Sequence, residues 1–361
     1  MGRLEFKLSS LKQPKVYIIA EAGVNHNGQI DLAYKLVEGA AKAKVDAIKF
    51  QTFIPNEMTS PIAQTALYQK QNFGKNQSQL EMLEKLTLSF DDFKNLKAYS
   101  ESLGLDFLST PFDRTSLVFL SEQLGCEVIK LGSGDLTNLP LIYDLGFKRQ
   151  KAIISTGMAN EQEIDECLNA YLAGFNKEEF PNFDNHIFDM LSGQLILLHC
   201  VSQYPAPIDQ LNLNYIPLLA EKYPFPVGFS DHTMGFEASI ASIALGCRVI
   251  EKHITLDNNL NGPDHLASLE IAALIQFVEC LRNTELTLGL PEKRCMPCEI
   301  ETKRVARKSI FAKKNIVSGE VFTKENIVIL RPGIGIKPNR FWSLLDTPAS
   351  QDYKKGDLIE D

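Results

Sequence analysis

Tyr17-Ile18-Ile19-Ala20-Glu21-Ala22-Gly23 opens a pattern that the chain repeats eight times. The run is apolar in its first half, turns polar at its end, and leads into a helical pattern over residues 30–44. The same reading applies to residues 46–53, 106–113, 128–135, 151–158, 195–204, 226–233 and 249–256. Short, nearly continuous apolar runs fit strands buried on both faces of a parallel sheet. Amphipathic patterns over 89–103, 160–173 and 235–245 supply helices between them. Eight such units between residues 17 and 285 predict an α/β protein, a (β/α)8 TIM barrel. An open doubly wound sheet fits less well, because no glycine-rich first turn is present.

Every predicted strand ends in polar residues: Glu21, Lys49 with Gln51, Ser109 with Thr110, Lys130 with Ser133, Ser155, His199, Ser230 with His232, and Glu251 with His253. Polar side chains deep in a strand are costly unless paired or used. In a barrel these ends share one face, where active sites sit. Five of the six histidines, His26, His199, His232, His253 and His265, fall at or just past strand ends, and His186 lies in a loop-like stretch. His232 and His253 end consecutive strands, an arrangement suited to one exchangeable divalent ion, Mn2+ or Mg2+, with open positions for water and substrate. Lys49 and Lys130, with Ser109, Thr110, Ser133, Ser155 and Ser230, suit a phosphate or carboxylate. No P-loop or dinucleotide fingerprint accompanies them.

Composition sets outer limits. The 361 residues are 44% hydrophobic and 23% charged, ample for a core, and their formal net charge of −8 argues against general nucleic-acid binding. Residues 1–15 lack an apolar signal core, and no apolar run is long enough to span a membrane, so a soluble, cytoplasmic protein is expected. Seven scattered cysteines suit reduced thiols better than a disulfide framework.

The barrel is expected over residues 1–285, followed by a linker over 286–304 and a small, mostly β module over 305–361. The module shows strand-like pieces at 309–312 and 327–330 and turns at Ser318-Gly319-Glu320 and Arg331-Pro332-Gly333. So small a module is marginal alone and gains from packing on another surface. Cys295-Met296-Pro297-Cys298, a single Cys-x-x-Cys in the linker, is a weak zinc or redox signal.

Taken in order, these motifs resemble the sialic acid synthase family, the nonulosonic acid synthases that include legionaminic acid synthase. The matching stretches run from Ile19-Ala20-Glu21-Ala22-Gly23-Val24-Asn25-His26-Asn27-Gly28 through Lys49-Phe50-Gln51-Thr52, Ser109-Thr110-Pro111-Phe112-Asp113 and Lys130-Leu131-Gly132-Ser133-Gly134. They continue in Ser155-Thr156-Gly157-Met158, Leu198-His199-Cys200, Ser230-Asp231-His232-Thr233, Glu251-Lys252-His253 and Gly262-Pro263-Asp264-His265. Arg307-Lys308-Ser309 and Arg331-Pro332-Gly333 make the tail resemble the family's antifreeze-like (SAF) domain.

The resemblance implies condensation of phosphoenolpyruvate with an open-chain N-acyl mannosamine-type sugar and release of phosphate. It places Lys49, Gln51, Thr110, Lys130, Ser133, Ser155, Ser202 and Ser230 on phosphoenolpyruvate. It places Phe112, Tyr204, Asp264 and Arg331 on the acceptor sugar, Glu21 beside the sugar or the metal's waters, and the metal on His232 and His253. Arg331 would reach into a neighbouring subunit's barrel, which implies a domain-swapped homodimer. Asp135 stands where many members carry a glutamate that is a candidate for activating water, and Ser202 where many carry asparagine. Two acceptors stay open: N-acetylmannosamine, giving N-acetylneuraminate, and 2,4-diacetamido-2,4,6-trideoxymannose, giving legionaminate. Synthases acting on aldose phosphates resemble the barrel but normally lack the tail. A carbohydrate-binding protein without catalysis is the non-enzymatic alternative, and it leaves Lys49, Lys130, His232 and His253 without a purpose.

Overall fold

The computed structural model describes residues 15–60, 62–63, 78–183 and 187–360. His186 and the stretch Leu67-Tyr68-Gln69-Lys70 lie outside the described residues. Two compact units meet in sequence between Gly289 and Leu290.

In the first unit, eight parallel strands form the frame. They are β1 (Tyr17–Gly23), β2 (Ala47–Thr52), β3 (Asp106–Pro111), β4 (Val128–Leu131), β5 (Lys151–Ser155), β6 (Leu195–Cys200), β7 (Val227–Asp231) and β8 (Val249–Thr255). Hydrogen bonds run along the path β3-β2-β1-β8-β7-β6-β5-β4, and β3 packs beside β4, so the sheet curls into a nearly closed barrel. The expected (β/α)8 architecture is therefore present.

Side chains alternate across each strand. One set, Tyr17, Ile19, Ala47, Leu108, Ile153, Ile196, Leu198 and Val249, fills the barrel interior as a separate apolar cluster. The other set, including Ile18, Ala20, Ile48, Phe50, Leu197 and Ile250, packs outward against the helices. Burying each large aliphatic or aromatic side chain contributes about 1.5–3 kcal/mol. Helix Ile30–Ala43 shows the matching periodicity, burying Ala33, Leu36, Val37 and Ala40, and it ends on Lys44 in the left-handed conformation. Capping boxes start helix Phe90–Ser102, at Ser89 and Asp92, and helix Glu161–Asn176, at Asn160 and Glu163. Two glycines let helices Leu139–Phe147 and Glu161–Asn176 touch backbone to backbone. A Cβ on Gly146 would lie 2.0 Å from the Tyr171 carbonyl oxygen, and one on Gly174 would lie 2.1 Å from that of Tyr143. No helix among the described residues is long and apolar enough to cross a membrane.

The segment expected to be a linker is partly helical: the last barrel-unit helix runs Ile271–Leu288, and Ile300–Ala306 forms another in the second unit. That unit carries an antiparallel pair, Ser309–Ala312 with Ile327–Leu330. Its small core is built from Ile310, Ile316, Phe322, Ile327, Leu344, Tyr353 and Ile359.

Candidate active site

The inward side chains that fill the barrel give way to polar ones at the strand ends, in the same alternation. Tyr17 and Ile19 are followed by Glu21, Ala47 by Lys49 and Gln51, Leu108 by Thr110, and Ile153 by Ser155. Glu251 and His253 follow Val249 in the same way. All of these polar residues, with Lys130, Ser230 and His232, line one cavity of about 520 Å³ at the strand C-termini. Such a cavity falls within the usual size range of ligand pockets.

Four buried charges cross its floor. Lys49 Nζ lies 2.8 Å from Glu21 Oε2 and 3.5 Å from Glu251 Oε2. Lys130 Nζ lies 3.8 Å from Glu251 Oε1 and donates to Ser155 Oγ at 2.7 Å. Ser230 Oγ donates to Glu251 Oε1 at 2.8 Å, and Lys49 Nζ donates to Thr110 Oγ1 at 3.3 Å. Buried charges repay their desolvation poorly as stabilisers, so this network points to ligand chemistry rather than to fold stability. Burial opposes charge on every member, but the partners decide the outcome. Burial, with Glu251 adding to it, pushes Glu21 up to about 7 against the pull of Lys49. Burial acts on Glu251 too, yet Lys130 and Lys49 hold its carboxyl below the ordinary range. Burial lowers Lys130, whereas Glu21 and Glu251 outweigh burial at Lys49 and raise it.

Beside this floor stand the two imidazoles, with ring centroids 5.5 Å apart. Tyr204 packs against both, 4.1 Å from the ring of His232 and 5.4 Å from that of His253. His232 Nδ1 lies 2.8 Å from the Val201 carbonyl oxygen, which can only accept, so Nδ1 carries a proton; burial opposes charge on this ring, but Cys200 and the Val201 carbonyl outweigh it and raise the imidazole. His253 is held neutral by burial and by the neighbouring His232 and Lys49, and its Nδ1 is buried without a hydrogen-bond partner. A neutral His253 with an orphaned nitrogen, beside His232 held in a fixed orientation, fits a divalent cation. Among the described residues no group of three His, Cys, Asp or Glu side chains is placed to hold a metal, so water or ligand oxygens would complete the coordination. Behind the imidazoles, outward-facing Asp231 and Lys252 form a 3.1 Å ion pair. Asp231 also accepts from the Thr233 backbone N–H and from Ser239 Oγ, fixing the turn that carries His232.

The remaining predicted residues divide. Gln51, Phe112, Ser133, Ser202, Tyr204 and Asp264 line the cavity with those already named. Ser133 Oγ accepts from the Gly157 backbone N–H at 3.0 Å. A Cβ on Gly157 would sit 2.3 Å from Ser202 Oγ and 2.8 Å from Ser133 Oγ, so the glycine lets both hydroxyls close in. Burial pushes the Asp264 carboxyl up to about 6. Asp135 is half-buried in the turn Ser133–Asp135, is not among the cavity-lining residues, and accepts from Asn138 at 3.1 Å. Arg331 belongs to the second unit, exposed directly after the strand Ile327–Leu330. Three of the grouped histidines serve the scaffold. His199 faces outward and bonds the Leu211 carbonyl, His265 bridges Thr255 and Asn27, and His26 accepts from the Gly28 backbone. Glu251 and Cys200 are cavity residues that the motif reading left without a role. Their signal was alternation: Glu251 lies two residues past inward Val249, and Cys200 two past inward Leu198.

Strand-end lysines, hydroxyls, carboxylates and imidazoles around one cavity have the make-up of a barrel enzyme's active site. The chain belongs to the NeuB family, whose sequence pattern matches residues 36–293. It is 40% identical to the N,N'-diacetyllegionaminic acid synthase of Campylobacter jejuni over 96% of this chain and 99% of that one. It is 32% identical to the human N-acetylneuraminate-9-phosphate synthase over 96% of this chain and 92% of that one. Among solved structures, the N-acetylneuraminic acid synthetase of Leptospira borgpetersenii superposes with a TM-score of 0.66 at 31% identity, covering 83% of this chain and 95% of that one. The resemblance read from the motifs therefore holds, and the chain is a sugar-acid synthase of this family.

Proposed function

We propose that the protein condenses phosphoenolpyruvate with an open-chain N-acyl mannosamine-type sugar and water, giving a nonulosonic acid and phosphate. The observation that carries this reading is the pair Lys49 and Lys130, ringed by hydroxyls, in the same cavity as His232 and His253. The lysines neutralise the phosphate and carboxylate, while Gln51, Thr110, Ser133, Ser155, Ser202 and Ser230 orient them by hydrogen bonds. C3 of the enol attacks the aldehyde carbon, water then adds at C2, and phosphate leaves with C–O cleavage. Glu21, poised near neutral pH, holds a proton that it delivers to the oxygen becoming a hydroxyl. A divalent cation on His232 and His253, Mn2+ or Mg2+, would polarise that carbonyl when bound. Phe112, Tyr204 and Asp264 face the acceptor. Asp135, one methylene shorter than the usual glutamate and off the cavity lining, would reach the attacking water through a bridging water.

The second unit is proposed to be the antiparallel SAF module, with Arg331 completing the acceptor site of a partner subunit in a domain-swapped homodimer. The test is phosphate release from phosphoenolpyruvate. It is expected only with both an acceptor sugar and a divalent metal present. Release without acceptor, or no release with any N-acyl amino sugar, overturns the synthase reading.

A further inference from the structure

A chain of buried polar groups ties the segment after β1 to the segment after β8, and the proposed chemistry uses none of it beyond Asp264. It starts at Asn25, two residues past β1 and fully buried. The Asn25 amide donates both its hydrogens, one to the Ile254 carbonyl at 2.8 Å and one to Ser268 Oγ at 2.9 Å. Ser268 Oγ in turn donates to the Asp264 carbonyl at 2.6 Å. Ile254 directly follows His253, so one amide spans from the end of β8 to the segment that carries Asp264.

The same two segments meet a second time. Asn27 Oδ1 lies 3.2 Å from His265 Nε2, and Thr255 Oγ1 lies 2.7 Å from His265 Nδ1. Asn258 Nδ2 donates to the carbonyls of His265 and Ser268, at 2.6 and 2.8 Å. Gly262 permits the approach, because a Cβ there would fall 2.4 Å from the His265 ring and 2.9 Å from Asn27 Oδ1. The backbone around Asp264 is thus held from several sides. Among the described residues no hydrogen bond or ion pair reaches the Asp264 carboxyl itself, so its place in the cavity is set by that backbone. Space-filling does not account for the arrangement. Asn25 Oδ1 is buried without a partner, which costs stability, and an apolar side chain would fill the position without that cost.

We infer that Asn25 and Ser268 are positioning residues that fix the Asp264 carboxyl relative to His253 and so set how well the acceptor sugar is held. The inference rests on the synthase reading above, which puts Asp264 on the acceptor, and adds two residues to it. Neither is among the cavity-lining residues, so both act through Asp264 rather than on the substrate. A displacement of about 1 Å in a group that orients substrate costs up to about 100-fold.

The test uses the full chain with Mn2+ and phosphoenolpyruvate, and reads phosphate release with whichever of N-acetylmannosamine and 2,4-diacetamido-2,4,6-trideoxymannose the wild type turns over. Ser268→Ala cuts the link to Asp264 and leaves the Asn25 bond to Ile254 in place. It is expected to raise the acceptor KM by at least about 10-fold while the KM for phosphoenolpyruvate stays near wild type. Ser268→Thr, which keeps the hydroxyl, should recover most of the loss. In an Asp264→Ala background, Ser268→Ala should raise the acceptor KM no further, because residues acting through one another are not additive. Asn25→Ala cuts the chain one link earlier and should show the same split; should it fail to fold, Ser268→Ala decides. A wild-type acceptor KM in Ser268→Ala, equal losses for both substrates, or an additive loss on top of Asp264→Ala overturns the inference. Failure of the synthase reading looks different: the wild type itself releases no phosphate with either sugar, and the inference falls with it.

Discussion

Lys130 and Glu251 come from β4 and β8, strands on opposite sides of the barrel, and their charged atoms meet at 3.8 Å across its mouth. Glu251 also approaches Lys49 on β2, so one carboxylate spaces two ammonium groups that would otherwise repel. Glu251→Gln keeps the shape but removes the charge that orients both lysines. It is expected to lower kcat/KM for phosphoenolpyruvate by at least about 10-fold, because a hydrogen bond to a charged group is worth roughly 1.5–3 kcal/mol. Steady-state phosphate release at varied phosphoenolpyruvate checks this, and wild-type kinetics would remove Glu251 from the site.

Lys130→Met tests the anion assignment directly. The side chain is buried, so the substitution keeps packing while deleting the charge and the bond to Ser155. KM for phosphoenolpyruvate should rise by about 10- to 100-fold, with a smaller effect on acceptor KM. An effect confined to the acceptor would reverse the assignment of the two halves of the cavity.

His232→Ala should abolish turnover while circular dichroism and melting remain near wild type. Chelation of the wild type should do the same, reversibly, with activity restored by added Mn2+. An active His232→Ala enzyme would remove the imidazole pair from the chemistry.

Asp264 gives a pH signature in stability. Burial raises its carboxyl to about 6, so the folded state binds this proton more tightly than the unfolded chain. Its contribution is complete below the ordinary carboxyl range, near pH 4, and is lost as pH rises through about 6. Asp264→Asn should therefore match wild-type stability at pH 4 and exceed it above pH 7, by up to roughly 3 kcal/mol. Thermal melts from pH 4 to 8 read the difference, and a gap independent of pH would refute it.

Arg331→Ala should raise acceptor KM, and the cross-subunit arrangement makes a sharper forecast. Mixing unfolded Arg331→Ala and His232→Ala chains and refolding them together should restore turnover at low acceptor concentration, which neither variant shows alone. No recovery in verified mixed dimers would place Arg331 on its own chain's chemistry or on none.

Much of the barrel was legible because its strands are short, apolar and separated by helices. Each strand starts within one residue of its expected start. The ends overran, at β4 from Leu131 to 135 and at β6 from Cys200 to 204, because site residues continue past the last ladder hydrogen bonds. Motif reading found Lys49, Lys130, His232 and His253. His199 shares residue type and strand-end position with the last two but not their facing, since it lies with Leu197 on the outward side. The role of Glu251 is not legible in its motif, because its partner Lys130 lies 121 residues away in sequence, on the opposite side of the barrel. Met82, Leu83 and Leu86 line the cavity from a helix outside the repeating units, where periodicity within strands says nothing about what lines a cavity.

The helix Gln79–Leu86 also has an evolutionary consequence. The groups proposed to handle bond making sit on strands pinned from both sides, whereas Met82, Leu83 and Leu86 line the same cavity from a short helix between β2 and β3. A substitution in that short segment can therefore reshape part of the cavity lining without touching the strand ends that carry the charged groups.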